Sequence, residues 1–172
     1  MSCPRCAAAA LALFALALAG CDSNNPGRDL SLIEGVYTVE ALTFDPVTDA
    51  LPDADVGARL DPSGTSLEVF GEDETSLLRV RYRDATGSRR VDLRTTASRG
   101  RATFEAVDDA DEADLAALFL PRQFTLTYDG DSPRLLSGTF DRSGVNLEAF
   151  DPSRYQDQRS VRGTLVVRFR RP

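Results

Sequence analysis

Short runs in which apolar and polar residues alternate, separated by turn residues at regular spacing, dominate the chain after residue 32. Strict alternation places every second side chain on one face, as in a strand that buries one side of a sheet. Several such runs in succession favour an antiparallel barrel or sandwich. The clearest runs are Leu67–Phe70, Leu77–Tyr82, Val91–Thr95, Ala102–Val107, Phe124–Tyr128, Leu135–Phe140 and Val161–Phe169, with a fainter one at Val56–Leu60.

The first strand is predicted over Leu32–Phe44, and its alternation changes face part-way along. The apolar side chains at positions 37, 39 and 41 share one face, whereas those at 42 and 44 share the other. A change of face within one long strand predicts a bulge or bend, here near Glu40.

Three turns between the runs share one residue pattern, with Asp at the start and Gly at the end: Asp61–Gly64, Asp84–Gly87 and Asp141–Gly144. The Asp side chain accepts a backbone hydrogen bond, and Gly supplies a positive φ. The Asp129-Gly130 dipeptide predicts a tighter hairpin.

One segment, Asp108–Phe119, breaks the strand pattern and predicts a helix of about three turns that packs on the sheet. Its first turn is acidic, which suits a helix N-terminus, and Asp109 and Glu112 have the spacing of a capping box. Leu115, Leu118 and Phe119 then form an apolar stripe. Residues 32–172 are therefore expected to form a single, mainly β domain of about 8 or 9 antiparallel strands with one short helix, either a barrel or a β-sandwich.

The first 20 residues predict an export signal. A single charge at Arg5 precedes the apolar run Ala7–Leu18, which fits the h-region of a signal peptide. A run of about 12 residues is too short for a membrane span, which needs about 20.

The run ends in Leu18-Ala19-Gly20-Cys21, which resembles the lipobox of bacterial lipoprotein signals. The resemblance implies cleavage between Gly20 and Cys21 and acylation of Cys21, so that the membrane is a partner of the protein. It implies a lipid-anchored protein of the bacterial cell envelope, with the outer membrane favoured and the inner membrane left open by Asp22. Acyl chains hold a protein to a bilayer because each buried methylene contributes about 0.8 kcal/mol. A secreted protein with a chance cysteine is the alternative.

Residues 21–31 are expected to form the lipidated N-terminus and a flexible tether, because Asp22–Asp29 contains no apolar residue to bury. The two remaining cysteines, Cys3 and Cys6, lie in the predicted signal. The domain is therefore not expected to depend on disulfides.

Composition excludes several classes of function. The formal net charge of −7 argues against binding nucleic acid. The chain has neither His nor Lys, so it cannot carry a Ser-His-Asp triad or a Lys Schiff base. It has no usual zinc-ligand set and no Gly-rich phosphate loop. We expect a non-catalytic domain without a cofactor.

Carboxylates are the acid–base groups that remain. A glycosidase pair among Glu40, Glu68, Glu105 and Glu148 would sit on or beside strands, but the chain has no Trp to stack on sugars. The acidic stretches Asp53–Gly57 and Asp129–Asp131 begin like oxygen-ligand loops, but they lack the third ligand and the distal Glu of a calcium loop. Ordinary acidic turns explain them, and no metal is expected.

The apolar strand faces offer the only candidate ligand site, which would be lined by Tyr82, Leu93, Phe104, Leu126, Tyr128 and Phe140. A packed core is the more common use of such faces. Gly138 and Gly163 would leave room between the larger side chains.

The strand number and Gly35-Val36-Tyr37 resemble a lipocalin-like barrel, a family that opens with Gly-x-Trp and pairs the Trp with a basic residue near the last strand. Here Tyr37 replaces the Trp, and the resemblance assigns Arg168 as its partner. Two functions follow as expectations. One is a structural or partner-contacting envelope lipoprotein, and the alternative is a carrier of a small apolar ligand.

Overall fold

The computed structural model describes residues 26–71, 74–130 and 133–172. The predicted signal and Cys21 lie outside these ranges. In this part of the chain, nine strands form one antiparallel sheet. They are β1 (Gly35–Pro46), β2 (Ala54–Asp55), β3 (Ser66–Phe70), β4 (Thr75–Val80), β5 (Arg89–Ser98), β6 (Arg101–Ala106), β7 (Gln123–Thr127), β8 (Leu135–Val145) and β9 (Val161–Arg170).

The sheet closes into a barrel. Its strand order is β2-β1-β3-β4-β5-β6-β7-β8-β9, and β1 pairs with β9 as well as with β3. Eight strands therefore form the closed wall, and β2 is an additional strand on the edge of β1. The predicted antiparallel barrel is confirmed, and the sandwich does not form because β1 and β9 join the two edges of the sheet.

The predicted bulge in the first strand is confirmed. The register of β1 against β9 shifts between Val39 and Ala41, so Glu40 is the extra residue. An extra residue reverses which side chains face inward. Tyr37 before the bulge and Phe44 after it are therefore both fully buried.

Within the described residues, three α-helices accompany the sheet: α1 (Pro26–Ile33), α2 (Asp109–Ala117) and α3 (Leu147–Phe150). Helix α2 confirms the predicted helix, but its N-cap is Asp108, one residue before the predicted capping box. The Asp108 Oδ1 atom accepts from the N–H groups of Ala110 (2.8 Å) and Asp111 (2.9 Å).

Helix α1 corrects the C-terminal half of the predicted tether, and residues 21–25 lie outside the described ranges. Residues 26–31 belong to this helix and not to a flexible segment, because Leu30 and Ile33 lie one turn apart and are both fully buried in the core. The Asp29 carboxylate accepts from the Arg99 N–H (2.9 Å), which ties α1 to the turn between β5 and β6.

Two further local predictions are wrong. The faint strand Val56–Leu60 is a short 3-10 helix at Gly57–Arg59. Its N-terminus is held by the Asp55 side chain, which accepts from the Ala58 N–H (3.0 Å). The predicted turn Asp141–Gly144 lies inside β8, where the pairing with β9 shifts between Arg142 and Val145. The Asp and Gly residues there belong to a bulged part of the strand and not to a turn, because the chain continues in the same direction.

The two ends of the barrel are covered by different elements. Helix α1 packs on β3 and β5 at the end where β1 begins and β9 finishes. The opposite end carries α2, α3 and the loop that follows α3. We call them the α1 end and the α2–α3 end. No helix within the described ranges is long and apolar enough to cross a membrane.

Candidate functional site

The barrel interior is filled by its own side chains. Of the six predicted ligand-binding residues, Leu93, Phe104 and Leu126 are fully buried in the hydrophobic core. The Phe104 and Phe124 rings stack with centroids 5.3 Å apart. These residues hold neighbouring strands together and do not line an open cavity.

The two glycines predicted to leave room for a ligand leave room for aromatic rings instead. A Cβ atom on Gly138 would lie 2.7 Å from the Phe140 ring and 2.9 Å from Leu126. A Cβ atom on Gly163 would lie 2.5 Å from the Phe44 ring. Core packing accounts for both glycines.

The other three predicted ligand residues lie far apart. Tyr82 follows β4 near the α2–α3 end, half-buried, with the Arg89 guanidinium 5.9 Å from its ring centroid. Tyr128 follows β7 at the α1 end, where its N–H donates to Gly100 O (2.8 Å). Phe140 is half-buried between β7 and β8. The structure therefore does not bring the six residues together in one site.

The α1 end contains a polar network around Tyr37. The Tyr37 hydroxyl donates to Ile33 O (2.9 Å) and accepts from an Nη atom of Arg171 (2.8 Å). The same Nη donates to Glu34 O, and the guanidinium lies 4.9 Å from the Tyr37 ring centroid. Burial raises the pKa of Tyr37, and the charge of Arg171 opposes that rise.

Arg171, and not Arg168, is therefore the basic partner of Tyr37. The assignment of Arg168 is wrong because Arg168 lies between the inward-facing residues Val167 and Phe169 and points to the outer face. The contact between Tyr37 and Arg171 lies where the first and last strands meet.

An open groove lies on the outer wall where β7 meets β8. Only Thr127 and Ser137 pair across this boundary, and the Phe140 ring fills the space beside it, 6.3 Å from the Phe124 ring. The groove has a volume of about 500 Å³. We call it the seam groove, and it is lined by Arg101, Thr125, Thr127, Ser137, Gly138, Thr139, Phe140, Val166, Val167 and Arg168.

Two arginines flank the seam groove without an acidic partner in the described part of the chain. Arg101 and Arg168 are both exposed, and neither forms an ion pair with a described carboxylate. The hydroxyl groups of Thr125, Thr127, Ser137 and Thr139 lie between them. The surface can donate hydrogen bonds and offers positive charge, an arrangement that suits oxyanions.

The α2–α3 end is closed by an aromatic cluster. The Phe119 ring makes edge contacts with Phe44 (5.6 Å between centroids) and Phe150 (5.4 Å), and Phe150 lies 6.3 Å from Tyr155. The Tyr155 hydroxyl lies 2.8 Å from Asp53 O and 3.1 Å from Pro52 O. These contacts join α2, α3 and the loop after β1 into one lid.

A second groove, of about 380 Å³, runs beside this lid between the C-terminal half of α2, the end of β8 and α3. We call it the lid groove. Arg142 lines it, and the Nε atom of Arg142 is buried without a hydrogen-bond partner among the residues that the structure describes. Burial lowers the pKa of Arg142.

Each of the four candidate glutamates forms an ion pair with an arginine. Glu40 pairs with Arg170 (2.8 Å), Glu68 with Arg79 (2.9 Å), Glu105 with Arg94 (3.9 Å) and Glu148 with Arg159. Each glutamate therefore faces a cation and not a second carboxylate. The described residues include no group of three or more potential metal ligands, and Asp131 of the second acidic stretch lies outside the described ranges.

The sequence reasoning missed the arginines that shape these surfaces. Arg142 lies two residues after Phe140, and Arg171 two residues after Phe169, so alternation puts each on the inward face of its strand. An inward-facing Arg near the end of a strand was the signal that could have found both.

Comparison of the chain with protein-family models, with curated proteins and with solved structures gives no match.

Proposed function

We propose that the protein is a lipid-anchored, non-catalytic β-barrel domain of the bacterial cell envelope that contacts a partner through its outer wall. The filled interior carries this proposal. The side chains that could have bound an apolar ligand inside the barrel, such as Phe104 and Leu126, pack against the protein itself. The outer wall is then the surface left for binding.

Anchoring through Cys21 would hold the α1 end close to the membrane. Helix α1 begins at Pro26, so the chain from Cys21 can reach at most about 18 Å when fully extended. The α2–α3 end would then face away from the bilayer, and the side wall would be open to other envelope components.

The seam groove is the part of the wall best suited to a partner. Its two arginines offer positive charge on a chain whose formal net charge is −7. Charge complementarity fixes the register of a contact and speeds association. The partner surface that fits is acidic, with carboxylate or other oxyanion groups that reach Arg101 and Arg168.

Lipidation is tested by metabolic labelling with palmitate in cells. The wild-type chain should be labelled, and Cys21→Ser should lose the label while the precursor accumulates. Equal labelling of the two proteins would remove the anchor from the proposal.

Partner contact is tested by a photo-crosslinking residue placed at Thr139 in the seam groove. The matched control is Thr75 on β4, an exposed threonine four strands away around the eight-stranded wall. A defined crosslinked product from position 139 alone, lost when Arg101 and Arg168 are both changed to Glu, is expected. Equal products from both positions, or none from 139, would contradict the assignment of this surface.

A further inference from the structure

The lid groove has the form of a small-molecule site at the end of the barrel opposite α1. Its volume of about 380 Å³ lies near the lower end of the range for ligand pockets, about 300–1,000 Å³. Most of its lining is apolar, from Ala116, Ala117, Phe119, Val145, Ala149 and Phe150. A surface of this kind gains free energy when it covers a short aliphatic chain.

Arg142 is a cation among the residues that line this mostly apolar groove. The Nε atom of Arg142 has lost contact with solvent and has no acceptor among residues 26–71, 74–130 and 133–172. A buried donor without a partner costs free energy, and the cost is larger when the group is charged. An acceptor supplied by a ligand would recover that cost.

The carboxylates of α2 and α3, and that of Asp151 after α3, already have other partners. The ion pairs are Asp109 and Glu112 with Arg122, Asp114 with Arg89, Glu148 with Arg159, and Asp151 with Arg59. Asp108 caps α2, and Asp111 accepts from the Asp92 N–H (2.9 Å). Asp141, next to Arg142, lies on the opposite, exposed face of β8. Arg142 is thus left as the cation of the groove.

The backbone of α2 does not satisfy Arg142 either. The last carbonyl groups of a helix usually lack intrahelical partners and can accept from a nearby cation. Here Leu115 O accepts from the N–H groups of Leu118 (2.9 Å) and Leu120 (3.0 Å), and Ala116 O accepts from Phe119 (3.0 Å). The tight turn after α2 has taken these acceptors.

We infer that the lid groove binds a small aliphatic carboxylate, with its carboxylate on Arg142 and its alkyl chain along Phe119 and Phe150. A carboxylate offers two oxygens that match the Nε and Nη donors of a guanidinium. An apolar ligand without an anion would leave the Arg142 donor unpaired, and an anion without an alkyl chain would leave the aromatic wall uncovered. This inference does not depend on the seam groove or on the proposed partner.

The probe is octanoate, titrated into the full chain with Cys21→Ser so that no acyl group of the protein competes. Isothermal titration calorimetry should show saturable binding at one site. Octan-1-ol and octylammonium have the same chain length without the anion, and both should bind at least about tenfold more weakly, the weight of a charge-assisted hydrogen bond.

Two variants test the position of the site. Arg142→Met keeps the length of the side chain but removes the donor, and it should weaken octanoate binding about tenfold or more. Arg162→Met changes an exposed arginine on β9 near the same end and should leave binding unchanged. Ala149→Trp, at an exposed position beside the groove, should block binding without removing the charge.

The inference is overturned if the folded protein does not bind octanoate, if octan-1-ol binds as well, or if Arg142→Met binds with wild-type affinity. Circular dichroism of each variant establishes that it is folded. Photo-crosslinking at Thr139 tests the seam groove separately, so a negative result for one proposal does not affect the other.

Discussion

Each end of the barrel holds a partly buried arginine near aromatic side chains, Arg171 at the α1 end and Arg142 at the α2–α3 end, and the hydrogen-bond partners of the two differ. At the α1 end, Arg171 donates to the Tyr37 hydroxyl and to Glu34 O. At the α2–α3 end, Arg142 has no acceptor for its Nε within the described chain. The Nε atom of Arg171 is also buried without a partner among the described residues, so the two ends differ in the Nη bonds that Arg171 makes to Tyr37 and Glu34.

The difference comes from how the covering helix ends. Helix α1 runs directly into β1, so Ile33 O and Glu34 O remain free to accept from Tyr37 and Arg171. Helix α2 ends in a tight turn whose own amides take the carbonyls of Leu115 and Ala116. A barrel end can therefore be closed by a polar network or by apolar packing.

The largest effect is expected from Tyr37→Ala, which removes the ring that the α1 end is built around. Tyr37 is fully buried and supports both α1 and Arg171. Loss of such a ring should lower the free energy of unfolding by about 3–5 kcal/mol. Urea denaturation measures it, with Tyr37→Phe as the control that keeps the ring and should lose only about 1 kcal/mol. Equal losses for both variants would show that the hydroxyl, and not the ring, closes this end.

Arg171→Leu should break the polar network while keeping an apolar side chain at the position. The Tyr37 hydroxyl and Glu34 O would each lose a charged donor. We expect the free energy of unfolding to fall by about 1–3 kcal/mol in urea denaturation. Arg168→Leu, which removes an exposed arginine without a described acidic partner, should change it by less than about 0.5 kcal/mol. A small effect at both positions would mean that Arg171 adds nothing to the closure.

Arg142→Met should have the opposite effect on the free energy of unfolding. Replacing a half-buried arginine whose Nε lacks a described partner by an apolar side chain of similar length removes a desolvation cost. The free energy of unfolding should stay constant or rise by about 1 kcal/mol in the absence of ligand. A loss of more than about 1 kcal/mol would show that Arg142 has a partner in the folded protein and would end the contrast between the two ends.

The wall of the barrel could be predicted from the sequence because it depends on local patterns. Alternation located eight of the nine described strands and missed the two-residue β2, and the change of face near Glu40 located the bulge. The acidic start and apolar stripe of α2 gave its position to within one residue of its cap. Each of these features is set by residues within a few positions of one another.

The ends of the barrel could not be predicted in the same way, because they depend on contacts between distant residues. Leu30, Leu32 and Ile33 directly follow a polar stretch, and burial of Leu30 and Ile33 in the core stabilises the short helix at this end of the barrel. The partner of Tyr37 was misplaced by three residues, which in a strand exchanges the outer face for the inner one. The filled interior was equally out of reach, because alternation is the same for a packed core and a lined cavity.

The smallest effect is confined to alkaline pH and concerns the ionisation of Tyr37. Burial raises the pKa of Tyr37 above its ordinary value of 10.0, and the Arg171 charge and hydrogen bond oppose the rise. Because the folded pKa lies above the unfolded one, the contribution to stability is fully present below pH 10.0 and is lost as the pH rises through the folded pKa. Arg171→Leu removes the opposing charge, so the pKa of Tyr37 should rise further.

Ultraviolet titration of tyrosinate measures this shift, and Tyr37→Phe identifies which step belongs to Tyr37. Burial also raises the pKa of Tyr155 at the α2–α3 end, where Arg154 opposes the rise. Arg171→Leu should therefore move the Tyr37 step to higher pH and leave the Tyr155 step in place, and Arg154→Leu should do the reverse. If Arg171→Leu instead lowers the Tyr37 step, loss of the guanidinium has opened the α1 end to water. The contact between Arg171 and Tyr37 would then stabilise the α1 end by excluding solvent more than by its charge. The aromatic cluster excludes solvent in the same way at the α2–α3 end.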